Sequence, residues 1–144
     1  MKHDPFGSLS NWGKVLDLLE ELANNNQLAS CQTGLIRILR YKGHWRLREE
    51  VLKRIGRIQA PSNELIDQLL SILADDNIYY DVRILAGNAM IQLLKSVRNS
   101  FCGEINKEIR KVVEKLKRTP QPPFLEETLD RLHIEVNLPN RLEV

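Results

Sequence analysis

Two apolar segments joined by a short acidic turn decide the fold. They are residues 65–76, LIDQLLSILADD, and residues 81–89, DVRILAGNA. Apolar residues recur in both segments at intervals of three and four, the spacing of one face of an α-helix. The pattern therefore predicts two helices, and the short connection from Asp75 to Asn77 makes them an antiparallel hairpin.

The same spacing extends toward the N-terminus. A first helix is predicted from Trp12 to the asparagine run that begins at Asn24, and a second from about Leu28 to Gly43. Gly43 suits a left-handed cap at a helix C-terminus. The apolar face of a third helix spans 47–58. These three helices make the N-terminal part of the chain helical.

The helical pattern also continues toward the C-terminus. Ser62 is the expected N-cap of the fourth helix. A sixth helix is predicted over about Gly103 to Lys117, and a seventh over about Phe124 to Leu132, after the proline-rich break at residues 119–123. No strand of useful length is predicted, so the chain is expected to be all-α with about seven helices.

The sequence repeats itself after 35 residues. This shift places the second and third helices on the fourth and fifth, and the aligned pairs are Leu35 with Leu70, Ile38 with Leu73, Leu47 with Val82, Arg48 with Arg83, Val51 with Ala86 and Ile55 with Met90. A period of this length is typical of a helical solenoid, in which each hairpin buries its apolar face against the next.

The hairpin over residues 64–94 resembles a HEAT repeat. Its leucine-rich first helix, the acidic turn Asp75-Asp76 and the Val82-Arg83 pair opening an alanine-rich second helix carry the likeness, which is greatest with the short repeats of phycobilisome-lyase proteins. Residues 28–58 are similar, with a basic turn, 42–44, instead of the acidic one. The resemblance implies a right-handed α-α superhelix of the HEAT/ARM type, with the second helices lining its inner surface.

We expect one helical-repeat domain over residues 1–144. A capping helix is expected at 11–27, repeats at 28–61 and 62–97, a divergent C-terminal cap at 98–134 and a tail at 135–144. The basic sixth helix carries an apolar stripe that the acidic seventh helix is expected to cover. A covered end leaves no large apolar patch, which favours a monomer or a weak dimer.

Composition excludes several classes of protein. The net charge of +2 is too small for a general polycation. Cys31 and Cys102 lie far apart without metal-ligand spacing, so they are expected to be packing residues in a reducing compartment. No apolar run is long enough for a membrane span or a signal peptide, so we expect a cytoplasmic location and no membrane partner.

No arrangement of residues indicates catalysis. The histidines His3, His44 and His133 are scattered, and the sequence has no HExxH motif, His/Cys cluster or glycine-rich phosphate loop. The acidic pairs, such as Glu49-Glu50, are interpreted as solvated helix surface. We therefore expect no enzyme, no cofactor and no metal.

The favoured function is a non-catalytic adaptor or regulatory scaffold that binds another protein on the inner helical surface. The 35-residue shift pairs polar residues of the third and fifth helices, and aromatic residues lie at the adjoining turns. The expected contact residues are Trp45, Arg46, Lys53, Arg57, Tyr79, Tyr80, Asp81, Asn88 and Gln92. Arg48 and Arg83 are expected to be structural, and Trp12 to lie in the core.

Two alternatives remain from the sequence. Residues 37–57 contain eight basic and two acidic residues, a net charge of +6, and such a segment is able to follow a phosphate backbone. Against nucleic-acid binding, no ladder of aromatic residues for base stacking accompanies the charge. The resemblance also allows a phycobilisome-associated or chromophore-lyase-like protein.

Overall fold

The structure, a computed structural model, describes residues 4–97 and 103–138. All regular structure in these residues is helical, which confirms the predicted all-α class. The helices are α1, Trp12–Asn24; α2, Gln32–Arg40; α3, Trp45–Ile55; α4, Asn63–Ala74; α5, Tyr80–Val97; α6, Gly103–Lys117; and α7, Pro123–Asn137. A 3₁₀ turn, Leu28–Cys31, precedes α2.

Local chemistry explains where α1 ends. Asn26 adopts a left-handed backbone conformation with φ of 57°, which asparagine tolerates better than most residues. Its amide donates to the carbonyl of Ala23 at 3.2 Å, and the amide of Gln27 donates to the carbonyl of Leu22 at 2.8 Å. These two bonds form a Schellman motif, which satisfies carbonyls that a helix end otherwise leaves unpaired.

The start of α4 confirms the predicted N-cap. The Oγ of Ser62 accepts a hydrogen bond from the amide of Leu65 at 3.1 Å, and Glu64 lies in the first turn. An acidic side chain there is favourable next to the positive end of the helix dipole.

The predicted cap at Gly43 is wrong. Helix α2 ends at Arg40, and Tyr41 is extended with φ of −76° and ψ of 124°. Of the described residues, only Gly7 and Asn26 have positive φ. The Tyr41 ring instead lies over Gly43, where an added Cβ would lie 2.3 Å from the tyrosine Oη. Gly43 therefore makes room for an aromatic ring instead of reversing the chain.

Two predicted helix boundaries also change. The segment predicted as one helix from Leu28 divides into the 3₁₀ turn and α2. Helix α7 runs to Asn137 instead of ending near Leu132. It stops there because Leu138 precedes a proline in the sequence, which disfavours the helical conformation, and Leu138 is extended with ψ of 144°. Part of the expected tail is thus helical.

The helices pack in two layers. The odd-numbered helices contact one another in chain order, α1 with α3, α3 with α5 and α5 with α7, and the even-numbered helices do the same from α2 through α4 to α6. Each even helix also packs against the odd helix that follows it. Short connections make those neighbours antiparallel. The odd helices run parallel to one another, since Gly56 after α3 lies against Gln92 of α5 and Gly87 of α5 lies against Thr128 of α7.

Glycine allows the odd helices to approach closely. A Cβ at Gly87 of α5 would lie 2.5 Å from the Thr128 Cγ2 of α7, a distance that real Cβ contacts do not show. At the end of α3, a Cβ at Gly56 would lie 2.8 Å from the Gln92 Cβ of α5. Both contacts join residues at similar distances from the starts of their helices. They fix the position of each odd helix along its axis relative to the next odd helix.

The N-terminal segment is packed onto α2. Phe6 and Leu9 are buried in the core. Asp4 accepts two hydrogen bonds from the Arg37 guanidinium, at 2.6 Å from Nε and 2.9 Å from Nη2, and Nη2 also donates to the carbonyl of Gly7 at 2.7 Å. A bidentate pair of this kind fixes orientation as well as charge.

The cysteine prediction holds where the structure tests it. Cys31 is buried in the core. Cys102 and His3 lie outside the described residues.

In the described part of the chain, no helix combines the length and the apolar character needed to cross a membrane.

The contact between α6 and α7 makes a first prediction. Ile109, Val113 and Leu116 of α6 are buried, as is one face of α7, and α7 packs on both α5 and α6. Deleting residues 120–144 exposes this surface, so we expect the shortened protein to associate or precipitate in light-scattering measurements. If it stays monomeric and as soluble as the full chain, α7 is not part of the core.

The Asp4–Arg37 pair makes a second prediction. The hydrogen bonds from Arg37 lower the pKa of the Asp4 carboxyl below 3.8. A carboxyl with a lower pKa in the folded state stabilises the fold above its unfolded pKa, and this contribution is lost as the pH falls through the folded value. We expect Asp4→Asn to lower the free energy of unfolding in urea near neutral pH, and the difference from wild type to shrink below pH 3.8. An equal difference at both pH values would show that the charge contributes nothing.

Candidate partner-binding edge

Three side chains tie the helical hairpins together in the same way. The Nε of Arg48 donates to the carbonyl of Leu39 at 3.1 Å, and the Nε of Arg83 donates to the carbonyl of Leu73 at 2.9 Å. Each arginine is the fourth residue of its helix, and each acceptor is the next-to-last residue of the preceding helix. We call each such bond a hairpin tie.

The third hairpin has a tie of different chemistry. The Nε2 of Gln121, in the turn before α7, donates to the carbonyl of Leu116 at 2.9 Å. Leu116 is again the next-to-last residue of its helix. A carbonyl at a helix C-terminus has no partner within the helix, so these three bonds satisfy equivalent groups and fix each hairpin at its turn.

The prediction that Arg83 and Arg48 are structural agrees with these contacts. Arg83 is 1% exposed, and its Nη2 lies 3.8 Å from Asp76 Oδ1 in the acidic turn. Arg48 is half-buried. The turn before Arg48, Lys42-Gly43-His44, carries no carboxylate, so the bond to the carbonyl is the contact that both hairpins share.

The parallel odd helices all begin at one edge of the molecule, and each has an aromatic residue at its first position (α1, α3 and α5) or its second (α7). Six aromatic side chains lie there, and we call them the aromatic edge: Trp12, His44, Trp45, Tyr79, Tyr80 and Phe124. The Trp, Tyr and Phe side chains are 46% to 82% exposed. Because packed helices lie about 10 Å apart, the row spans roughly 30 Å.

The position of Trp12 corrects the prediction that it lies in the core. Trp12 is 46% exposed, and its indole stacks on the His44 ring with centroids 4.8 Å apart. The His44 ring in turn lies 6.4 Å from the Trp45 ring at an interplanar angle of 10°. The spacing of Trp12 continues the apolar face of α1. Because Trp12 is the first residue of that helix, however, its side chain extends past the helix end instead of into the core.

A cleft at the aromatic edge joins the first two hairpins. It has a volume of about 290 Å³ and lies between the turn before α3 and the turn before α5. The predicted contact residues Trp45 and Tyr79 both line it, together with Tyr41, Lys42, Arg48, Asp75, Asn77, Ile78 and Val82. The structure therefore brings together two residues that are 34 positions apart.

Charge changes along the aromatic edge. Neither α1 nor α3 has an acidic residue in its first turn, and Lys42 and Arg46 are exposed beside α3. By contrast, Asp81 lies in the first turn of α5 and Glu126 in that of α7. The edge is therefore basic near α3 and acidic near α5 and α7.

Only some of the other predicted contact residues lie on the same surface as Trp45 and Tyr79. Arg46 and Asp81 are exposed close to the edge, as second residues of their helices. Lys53 lies toward the far end of α3 and pairs with Glu50 at 3.1 Å. Arg57 lies beyond that end and lines a different cleft of about 340 Å³ beside the end of α1.

Three further predicted contact residues make contacts with other side chains of the protein. Asn88 accepts a hydrogen bond from Arg131 Nη2 of α7 at 2.8 Å. The side chain of Gln92 packs over Gly56. Tyr80 is 49% exposed, with the Arg83 guanidinium 5.5 Å from its ring centroid. Asn88 and Gln92 therefore hold the odd layer together, which their polar positions on the helix surface did not indicate.

Most of the basic 37–57 segment is also engaged. Arg37 pairs with Asp4, Arg40 donates to Gln68, and Lys53 and Arg54 both pair with Glu50. Burial raises the pKa of the Glu50 carboxyl, but the hydrogen bonds from Lys53 and Arg54 outweigh it and the pKa is lowered. Of this segment, Arg40, Lys42, Arg46 and Arg57 are exposed without an ion pair to another described residue, and Arg40 is bonded to the neutral Gln68 side chain.

Sequence reasoning missed four residues of the candidate site: Trp12, Tyr41, His44 and Phe124. A signal for two of them was present. Trp12 is the first residue of its helix, as Trp45 and Tyr80 are of theirs, and Phe124 is the second residue of α7. Trp45 and Tyr80 were chosen, but only the parallel packing shows that these helix starts share an edge. Within the described ranges, no group of three His, Cys, Asp or Glu residues is placed to hold a metal ion.

Comparison with models of known protein families gives no match, and comparisons with curated proteins and with solved structures give none either.

The hairpin ties make a third prediction. Arg83→Met leaves the buried carbonyl of Leu73 without its donor, so we expect the free energy of unfolding in urea to fall by about 2 kcal/mol. Arg83→Lys should recover little of this loss, because lysine lacks the planar Nε–H that reaches the carbonyl. The exposed Arg118→Met is the matched control, with an expected change below about 0.5 kcal/mol. Equal stability of Arg83→Met and wild type would contradict a structural role.

Proposed function

We propose that this chain is a small non-catalytic adaptor that binds another protein along its aromatic edge. In this proposal the two helix layers form a right-handed α-α superhelix of the HEAT/ARM type. Three observations support that architecture: the 35-residue period, the contacts between alternate helices, and the hairpin tie at the fourth residue of both α3 and α5.

The observation that carries the proposal is the repeated placement of an exposed aromatic residue at the start of every odd helix. Exposed Trp, Tyr and Phe side chains bury about 150–250 Å² each when a partner covers them. They also lose little conformational entropy on binding, and tryptophan and tyrosine are enriched among residues that dominate interface energies. A row of such residues on rigid helix ends is therefore a surface suited to a protein partner.

The charge pattern favours protein over nucleic acid. A polynucleotide backbone following the row would meet Asp81 and Glu126 after leaving the basic portion near α3. Such a backbone needs several cationic contacts along its path. The aromatic edge does form a row of rings, which the sequence did not indicate. Exposed basic residues accompany only the part of this row near α3.

The fourth prediction tests the edge in the cell that makes the protein. A photo-crosslinking amino acid is placed at Tyr79 or Phe124, which are 82% and 75% exposed. Exposed positions on the even layer, Thr33 and Lys111, are the matched controls. We expect both edge positions to form an adduct with the same protein, and neither control to form it, because a partner on the edge does not reach the even layer.

The result that contradicts this function is equally definite. If the two edge positions give no protein adduct, or if Thr33 and Lys111 give the same adducts as the edge, the aromatic edge is not a protein-binding surface.

A further inference from the structure

The cleft at the aromatic edge has the shape and lining of a site for an extended peptide. Aromatic rings of Tyr41, Trp45 and Tyr79 line it, and the apolar side chains of Ile78 and Val82 contribute to its surface. Indole N–H and phenol O–H groups of these rings are hydrogen-bond donors next to apolar faces. Extended proline-containing segments are recognised by this combination, because their rings pack against aromatic faces while their free carbonyls accept hydrogen bonds.

The charge around the cleft indicates an acidic residue in the occupant. Lys42 lines the cleft, and Arg46 is exposed on the first turn of α3 beside it. The start of α3 adds the positive end of a helix dipole, with no acidic residue in its first turn and no side-chain cap on its amides. The other wall carries the Asp75 carboxylate, whose Oδ1 accepts the amide of Asn77 at 2.8 Å, so an acidic residue of the occupant is expected on the α3 side of the cleft, away from Asp75.

We infer that this cleft binds an extended, proline-containing segment of the partner protein, with an acidic residue of that segment placed beside Lys42 and Arg46. The inference rests on the proposed adaptor function and adds the chemistry of the partner. The proline rings pack against Tyr41, Trp45 and Tyr79, and the carboxylate is held at the start of α3.

The fifth prediction uses the fluorescence of Trp45. The chain has two tryptophans, so Trp12→Phe leaves Trp45 as the single indole and keeps an aromatic ring against His44. The probes are a short synthetic peptide that alternates proline with glutamate, the same peptide with lysine for glutamate, the same peptide with alanine for proline, and a thymidine oligonucleotide. We expect a saturable change in Trp45 emission with the proline–glutamate peptide, and weaker binding by about tenfold or more with each of the other probes.

A charge exchange tests the placement of the acidic residue. Lys42→Glu combined with Arg46→Glu should weaken binding of the proline–glutamate peptide by at least about tenfold and improve binding of the proline–lysine peptide. Lys53→Glu combined with Arg57→Glu makes the same change of net charge at the far end of α3, and it should leave both affinities within about threefold of the single-tryptophan parent.

The outcomes separate this inference from the proposed function. Absence of a Trp45 response to the proline–glutamate peptide, equal binding of the alanine-containing peptide, or preferred binding of the oligonucleotide would each overturn the inference. If Tyr79 and Phe124 still give the expected protein adduct, the adaptor function stands and only the occupant of the cleft is wrong. If the edge gives no adduct either, both proposals fail.

Discussion

The donation of a side-chain N–H to the next-to-last carbonyl of each even helix is the interaction on which the arrangement depends. A helix end leaves its last carbonyls unpaired, and an unpaired carbonyl buried between two helices is costly. Arg48, Arg83 and Gln121 each supply the missing donor at a hairpin turn. Each bond fixes where the following odd helix starts relative to the end of the helix before it.

Because the three hairpins are fixed alike, their second helices start at the same edge. Close contacts at Gly56 and Gly87 then hold those helices in register, and the hydrogen bond between Asn88 and Arg131 adds a polar link between α5 and α7. A residue in the first turn of an odd helix therefore lies at this edge, even though the other residues of the edge are far from it in the sequence. The aromatic edge is the functional consequence of this structural repetition.

Much of the fold was predictable from apolar spacing, since helices are local structures and their buried faces repeat in sequence. The Ser62 cap was predictable for the same reason. The left-handed cap predicted at Gly43 was wrong, because the Tyr41 ring fills the space over that glycine, and the left-handed conformation of Asn26 at the end of α1 was not predicted. The C-terminal extension of α7 was hidden by the alternation of apolar residues from Leu132 to Leu138, of which the structure buries Leu132 and Val136 and leaves Ile134 62% exposed.

The candidate site was less accessible to sequence reasoning, because it depends on which helix ends are neighbours. Trp12 continues an apolar face yet stacks on His44, 32 residues later, and only the packing of α1 on α3 brings the rings together.

The most direct test of the account is a nuclear Overhauser measurement on the native protein between groups far apart in the chain. The parallel odd layer predicts cross-peaks between the Trp12 indole and the His44 ring, between Gly56 and the Gln92 side chain, and between Gly87 and the Thr128 methyl group. All three should appear together. If the Trp12 ring shows cross-peaks only to residues of its own helix, and Gly87 shows none to Thr128, the helix starts do not share an edge and the account is wrong.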